Sequence, residues 1–303
     1  MKRVIFTLLA SVLLLNAGDT AFAGIFPAKK SDIKHAKIEK NSYKEIEQLL
    51  TTQEKFAQKY DLEGIKTVYG KEFVNNDGFK WDVYFSMIED TWKNYPDITY
   101  TTQINKIDTD GEYAVVLTSE KAVATTSSEF PVGEVFGELN STSECIYYLR
   151  KIGEEWKITG EQVLKELSSL KFGDARYVKM TFDAPKMVGA GETYTSTIKV
   201  HVPSNSIVIG ALSQEKIVNP IGEPDEKFRP FSDDQTLTRI FTANTDNVNE
   251  YNVASVALTE AEPTKDGNIK VYMSGLAFVM TRVNVVPTNN FAKVKEKDEQ
   301  ESN

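Results

Sequence analysis

Few residues in this 303-residue sequence have the types and spacing that catalysis near neutral pH requires. There are two histidines: His35 lies in a lysine-rich segment and His201 in the alternating stretch "IKVHVP". Both are expected to be structural or solvated, since catalysis by histidine needs a positioned partner. No Cys/His/Asp cluster has zinc spacing, and no phosphate-binding glycine loop or nucleophile elbow occurs. The sequence therefore predicts no catalytic residue, no metal ligand and no cofactor.

Carboxylates are the remaining candidates for acid–base chemistry, because burial can raise the pKa of a carboxyl group. Asp82, Glu89 and Asp90 lie in a segment with helical periodicity, and Glu144 lies beside the single cysteine, Cys145. The apolar face of that helix is formed by Trp81, Tyr84, Phe85, Ile88 and Trp92. The three helix carboxylates fall off this face and are expected to be solvated, whereas Glu144 can point either way.

Two further features allow a functional and a structural interpretation. Asp77 and Gly78 are expected to be a helix cap and a turn glycine, although a loop at a pocket mouth is the alternative. Arg150 and Arg282 flank apolar strands and are expected at the surface, although either could pair with a carboxylate ligand. Cys145 lies in the apolar run "ECIYYL" and is predicted to be a buried, unreactive thiol.

The N-terminus has the layout of a cleaved secretory signal. Lys2 and Arg3 precede the apolar run "VIFTLLASVLLL", and "AFA" places small residues before a cleavage point after Ala23. The apolar run is shorter than the roughly 20 residues of a membrane-spanning helix. We expect a bacterial exported protein, periplasmic or secreted, because eukaryotic secreted proteins of this length usually carry several cysteines. The net charge of −9 predicts neither a nucleic-acid partner nor a membrane partner after signal cleavage.

The order of elements predicts an α+β fold with two domains. Residues 1–23 are the signal, residues 24–41 a flexible leader, and a capping box "SYKE" starts the first helix at Ser42. Three helices are followed by alternating strands up to residue 167. Residues 168–290 read as short strands separated by turns, and residues 291–303 form a charged, disordered tail.

The first domain carries a resemblance to a known family. The stretches "YDLEGIKTVYGKEFVNNDG", "W..YPDI.Y" and "YYLRKIGEEWKI" resemble the nuclear transport factor 2-like (SnoaL-like) superfamily, whose cone-shaped fold ketosteroid isomerases share. The resemblance covers Ser42 to Glu166 and implies three helices packed on a curved antiparallel sheet. It also implies that an enzyme would carry an Asp or a His–Asp pair inside the cone, yet this segment contains no histidine.

The second domain is expected to be an all-β, immunoglobulin-like sandwich, because six or seven strands rich in Val, Ile and Thr follow one another with turns between them. "TKDGN" is expected to form one of the hairpin turns. This domain has neither a cysteine pair nor a tryptophan, so the expectation rests on the strand pattern.

These observations favour a non-catalytic protein that binds a small apolar molecule or a protein partner. The cone is expected to be lined by aromatic residues, namely Tyr69, Trp81, Tyr84, Phe85, Trp92, Tyr147 and Trp156. An isomerase- or cyclase-type enzyme with a carboxylate inside the cone is the first alternative, and a structural surface-assembly protein is the second. A carboxylate and a tyrosine that converge inside the cone would favour the enzyme, whereas an apolar aromatic pocket or a filled core would not.

Overall fold

The computed structural model describes residues 30–130, 133–202, 207–219 and 227–288. The predicted signal and the predicted charged tail lie outside these ranges. The helices are α1 (Lys30–Ala57), α2 (Leu62–Val68) and α3 (Trp81–Asn94), and a short 3-10 helix spans Asp174–Tyr177. The strands of the first half are β1 (Tyr69–Asn75), β2 (Thr99–Thr109), β3 (Tyr113–Phe130), β4 (Gly133–Ile152) and β5 (Glu155–Gly173). The strands of the second half are β6 (Lys179–Asp183), β7 (Met187–Gly189), β8 (Thr193–His201), β9 (Ile207–Lys216), β10 (Arg229–Pro230), β11 (Thr236–Thr242), β12 (Glu250–Pro263) and β13 (Ile269–Val286).

Helix α1 starts earlier than the sequence pattern indicated. It begins at Lys30, so the predicted start at Ser42 is wrong, and the predicted leader is helical from Lys30 onward. The helix contains neither glycine nor proline, the residues that would interrupt it. It buries Ile46 and Leu50.

Helices α2 and α3 show how local sequence sets their boundaries. The Asp61 carboxylate accepts a hydrogen bond from the Gly64 amide at 2.8 Å and caps α2. The N-cap of α3 is Lys80, so the prediction that Asp77 caps this helix is wrong. Gly78 is a turn glycine, as predicted, with a φ of 83° that other residues rarely adopt.

Most strands belong to one ten-stranded sheet. Its main path runs β10-β9-β12-β13-β5-β4-β3-β2, and β1 and β7 pair with β5 and β13 outside this path. Strands β4 and β5 are joined at Gly153, which has a φ of 66°. Beside this turn, the Trp156 indole donates to Glu45 of α1 at 3.0 Å and holds the helix against the hairpin. The hairpin thus belongs to the scaffold.

The predicted architecture, a helix-covered cone followed by a separate immunoglobulin-like sandwich, is wrong. Strands account for most of the described residues, and the two halves share one sheet. Strand β5 continues past Leu167 to Gly173 and pairs with β13 near the C-terminus. The physical reason is that β5 and β13 are each long enough to pair along the whole overlap, from Leu167–Thr281 to Gly173–Gly275.

A second layer covers only the C-terminal part of the large sheet. Strands β11, β8 and β6 form a three-stranded sheet, whose buried residues include Ile198, Val200 and Phe241. They pack against apolar residues of β9, β12 and β13. The C-terminal half is therefore a small sheet stacked on a shared sheet, not a self-contained sandwich.

Strand β13 contributes to two apolar cores through its two faces. Leu276 and Phe278 pack against the core of the N-terminal half, and Ala277 and Val279 against the core of the C-terminal half. This explains the nearly continuous apolar run "GLAFVM", since a strand that is covered on both faces does not alternate. None of the helices in the described ranges is long and apolar enough to span a membrane.

We predict that a fragment of residues 42–167 does not fold independently. The cut removes the end of β5, all of β13 and the residues that β13 places against the N-terminal core. All three tryptophans (Trp81, Trp92 and Trp156) lie in this fragment, so its fluorescence reports on it directly. We expect water-like emission and no cooperative unfolding, with residues 24–303 as the control. Blue-shifted emission with a cooperative transition would show that the two halves fold separately.

Candidate functional site

The predicted aromatic lining forms a packed interior in the N-terminal half. We call this interior, enclosed by α1–α3 and β1–β5, the N-terminal core. Six of the seven predicted residues are buried there: Tyr69, Tyr84, Phe85, Trp92, Tyr147 and Trp156. Trp81 is only partly buried, with the Lys71 ammonium 3.9 Å from its ring centre.

These rings touch one another instead of lining a pocket. The Tyr69 ring centre lies 4.9 Å from that of Phe73 and 5.2 Å from that of Phe85, both in edge-on contact. A cavity of about 10 Å³ remains beside Tyr69 and Trp92, which is room for about one water molecule. The Gln53 amide donates to the Tyr69 hydroxyl at 2.7 Å next to this cavity. In this conformation the core is therefore filled except for this small cavity.

Two carboxyl groups that sequence reasoning missed lie inside this core. Glu120 of β3 is 5% exposed and accepts hydrogen bonds from Thr118 at 2.8 Å and Ser143 at 3.3 Å. Burial raises the pKa of Glu120 to about 7, although hydrogen bonds from Thr118, Tyr147 and other neighbours oppose the shift. The second group, Glu161 of β5, is 4% exposed.

Glu161 is the more strongly perturbed of the two groups. Burial is the largest cause, and the charge of Glu120 adds to it, so that its pKa is raised to about 8. The nearby Tyr84 hydroxyl favours the ionised form of Glu161 and so offsets part of the rise in its pKa. Within the described residues, the Tyr84 hydroxyl makes no hydrogen bond of good geometry. A carboxyl group with a pKa near neutrality beside a buried phenol has the composition of an acid–base pair.

A buried ion pair stands next to these acids and connects the two halves. Arg282 of β13 binds Asp77 through two hydrogen bonds, and both side chains are fully buried. The expectation of a surface position for Arg282 is wrong. Glu166 lies nearby and accepts from the Tyr251 hydroxyl at 2.8 Å, and its pKa is raised by burial and lowered by the charge of Arg282.

The carboxylates singled out in the sequence do not join this cluster. Asp82, Glu89 and Asp90 are exposed on α3, as the helical spacing predicted, and His201 and Arg150 are exposed as well. The Cys145 thiol is buried. No group of three metal-ligating side chains capable of holding an ion occurs in the part of the chain that the structure describes.

The strand pattern of the sequence predicts the buried position of Glu120 but not that of Glu161. In β3 the buried positions alternate through Val116, Thr118, Glu120 and Ala122, so strict alternation places Glu120 inside. In β5 the pairing with β4 shifts near Tyr148, and the alternation that starts from Ile158 does not predict an inward Glu161.

A larger space lies where the two halves meet. This cleft has a volume of about 440 Å³ and is bordered by charged, amide and apolar residues. The charged residues are Glu144 and Lys186. Its amide residues are Asn76, Gln162, Asn247, Asn249 and Asn284. Its apolar residues are Leu164, Met187, Val285 and Val286. None of the seven predicted aromatic residues borders it, so the sequence-based lining and the accessible space do not coincide.

Comparisons with known proteins give fold likeness only. No protein-family model and no curated protein matches the chain. A provisionally named scytalone dehydratase from Novosphingobium aromaticivorans is 15% identical with a TM-score of 0.36, covering 42% of this chain and 86% of that chain. A conserved protein from Planctomyces limnophilus is 12% identical with a TM-score of 0.33, covering 40% of this chain and 94% of that chain.

A third structure, a provisional dehydratase of the nuclear transport factor 2-like family from Streptomyces avermitilis, is 10% identical with a TM-score of 0.31. It covers 41% of this chain and 95% of that chain. Structures similar to part of this chain thus include nuclear transport factor 2-like proteins. At these identities and TM-scores, the likeness carries no argument about activity.

The buried acids predict that stability falls as pH rises. The folded protein retains protons on Glu120 and Glu161 that the unfolded chain releases above a pKa of 4.5. The contribution is therefore complete below that pKa and is lost as pH passes through about 7 and about 8. We expect a loss on the order of a few kcal/mol between about pH 5 and about pH 8.5 in denaturant unfolding.

The matched variants are Glu161→Gln, which imitates the protonated acid, and Glu89→Gln on the exposed face of α3. Glu161→Gln should flatten the dependence of the free energy of unfolding on pH, and Glu89→Gln should leave it unchanged. An unchanged slope in Glu161→Gln would contradict the assignment.

Proposed function

We propose that this chain is a non-catalytic ligand-binding protein, and that its ligand occupies the cleft between the two halves. The observation that carries the proposal is the contrast in space: about 440 Å³ in the cleft against about 10 Å³ in the N-terminal core. A volume of this size lies in the range of small-molecule sites, which are roughly 300–1,000 Å³. The site proposed here is mainly polar, whereas the site expected from the sequence was aromatic.

Fixed side chains support the proposal, because a pre-formed site loses less entropy on binding. Asn249 is 9% exposed, donates to Asp77 at 2.8 Å and accepts from the Val285 amide at 3.0 Å. Asn284 donates to the carbonyls of Leu164 and Lys186, at 2.9 and 3.2 Å. These bonds connect elements from both halves of the chain and hold the cleft walls in place.

Export from a bacterial cell is part of the same proposal. It is supported by the charged start, the apolar run and the small residues before Gly24. A binding protein in the periplasm or outside the cell would meet small polar molecules directly.

A proton-transfer enzyme of the isomerase or cyclase type is the second candidate. The observation that favours it is the convergence of Glu161, with its raised pKa, and the Tyr84 hydroxyl in the N-terminal core. A substrate would have to enter a filled interior, so this function requires that the core opens in the native state.

We predict that small polar ligands bind in the cleft. Ligand-observed NMR with a library of small polar molecules should yield binders to the full mature chain. Met187→Trp, which places a bulky ring at the cleft wall, should abolish their binding. Ile240→Trp is the control, because Ile240 is 71% exposed on β11 and does not border the cleft. Binders that tolerate Met187→Trp, or a library without binders, would overturn the cleft proposal.

The single cysteine distinguishes the second candidate. Cys145 is 0% exposed in the N-terminal core. If the core stays filled, a small thiol reagent should modify Cys145 only at the rate of global unfolding, which denaturant accelerates and mass spectrometry follows. Fast modification under native conditions, independent of global unfolding, would show that the core opens and would favour the enzyme.

A further inference from the structure

The amide side chains of the cleft fall into two groups with different roles. Asn249 and Asn284 use both their oxygen and their nitrogen atoms within the protein. They are wall residues and offer little to a ligand. Asn76, Gln162 and Asn247 border the same cleft but keep hydrogen-bonding capacity.

Gln162 and Asn76 are held by their oxygen atoms, so that their nitrogen atoms remain available. The Gln162 oxygen accepts from the Tyr148 hydroxyl at 3.0 Å, and the Asn76 oxygen accepts from the Val163 amide at 3.2 Å. Within the described residues, neither side-chain NH2 group donates a hydrogen bond. Each amide is thus oriented by the protein and has two N–H donors left for an acceptor on a ligand.

Asn247, from the turn between β11 and β12, adds a third amide to the cleft. It has a φ of 57°, a backbone conformation that asparagine tolerates better than most residues. The Asn244 side chain fixes this turn by accepting from the amides of Asp246 at 2.9 Å and Val248 at 3.2 Å. The turn therefore presents Asn247 at a set position on the cleft.

The two charged side chains that border the cleft, Glu144 and Lys186, have opposite signs. Glu144 supplies an acceptor and Lys186 a donor, so the two side chains add no net charge. Glu144 is also 4.0 Å from the Lys165 ammonium. A strongly charged ligand would find no matching excess charge here, whereas a neutral ligand would find both donors and acceptors.

Four apolar side chains complete the surface. Leu164, Met187, Val285 and Val286 border the cleft, and Met187 is 62% exposed. An entirely polar ion would gain nothing from them. A ligand with C–H surfaces between its polar groups would cover them.

From this combination we infer that the cleft binds a small neutral saccharide, an inference that rests on the proposed function. Sugar hydroxyls both donate and accept, which suits free amide N–H groups, a carboxylate and an ammonium group together. The C–H groups of the sugar ring contact the apolar residues. Gln162 and Asn76 donate to ring hydroxyl oxygens, and Glu144 accepts from a hydroxyl.

The experiment measures binding of a panel of neutral mono- and disaccharides to the full mature chain by saturation-transfer NMR and titration calorimetry. Zwitterionic dipeptides form a comparison arm, since peptide carbonyls also accept from amides. Gln162→Glu keeps the acceptor for Tyr148, but it replaces the NH2 group with a carboxylate oxygen and adds a negative charge. Gln103→Glu, at an exposed position of β2, adds the same charge away from the cleft. Asn76→Asp is the second variant of the same design.

We expect at least one saccharide to bind wild type and Gln103→Glu equally, and Gln162→Glu about tenfold more weakly, since a hydrogen bond in the site is lost. Thermal unfolding confirms that each variant is folded. Dipeptide binding without saccharide binding would overturn the saccharide assignment and leave the cleft function standing. Saccharide binding that neither Gln162→Glu nor Asn76→Asp weakens would overturn the amide site. Absence of binding by both saccharides and dipeptides would overturn the inference. The proposed function is tested separately, by the library of small polar molecules described above.

Discussion

The buried ion pair of Arg282 and Asp77 is the interaction on which the arrangement of this molecule depends. Arg282 belongs to β13 and Asp77 to the turn between β1 and α3, so the pair joins residues that are 205 positions apart in the sequence. Removing one partner of such a pair leaves an uncompensated buried charge, which typically costs about 3–5 kcal/mol. Burial raises the pKa of Glu161 and Glu166, and the charge of Arg282 offsets part of that rise, so a residue of the C-terminal half favours the ionised forms of these acids.

The same contacts that join the halves also shape the cleft. Asn284 accepts from Arg282 at 2.8 Å and donates to the carbonyls of Leu164 and Lys186. Asn249 donates to Asp77 and thereby completes the surroundings of the ion pair. The cleft walls therefore belong to the contacts that join the two halves. Their rigidity follows from a network in which buried polar groups form hydrogen bonds with one another.

The sequence predicted the local structure better than the connection between the halves. The spacing of Tyr84, Phe85, Ile88 and Trp92 identified the buried face of α3, and Gly78 is the turn glycine that the sequence predicted. The domain boundary predicted after residue 167 falls inside β5, whose inward positions there include Glu166 and Ser168. These polar residues are tolerated inside because Tyr251 and Ser141 pair with them, at 2.8 and 2.7 Å. Such partners are distant in sequence, so neither the length of β5 nor the inward position of Arg282 could be read from local pattern.

The protonation of the core explains how a filled interior tolerates so many acids. Asp77, Glu161 and Glu166 interact with the charge of Arg282, and Glu120 interacts with Glu161. Full ionisation of these four acids would leave the interior with a large negative charge in a medium that disfavours it. Because the pKa values of Glu120 and Glu161 are raised to about 7 and about 8, both acids keep their protons to a higher pH than solvated carboxyl groups do, and a protonated carboxyl group donates as well as accepts hydrogen bonds. Raised pKa values of this kind mark catalytic acids in open sites, but they also follow from burial alone. In this chain the cavity of the N-terminal core, about 10 Å³, is too small for a substrate beside the acids. The larger space, about 440 Å³, is the cleft, which is bordered by amide side chains that do not titrate. Proton affinity and ligand access are thus separated in the structure, which favours a structural role for the acids and a binding role for the cleft.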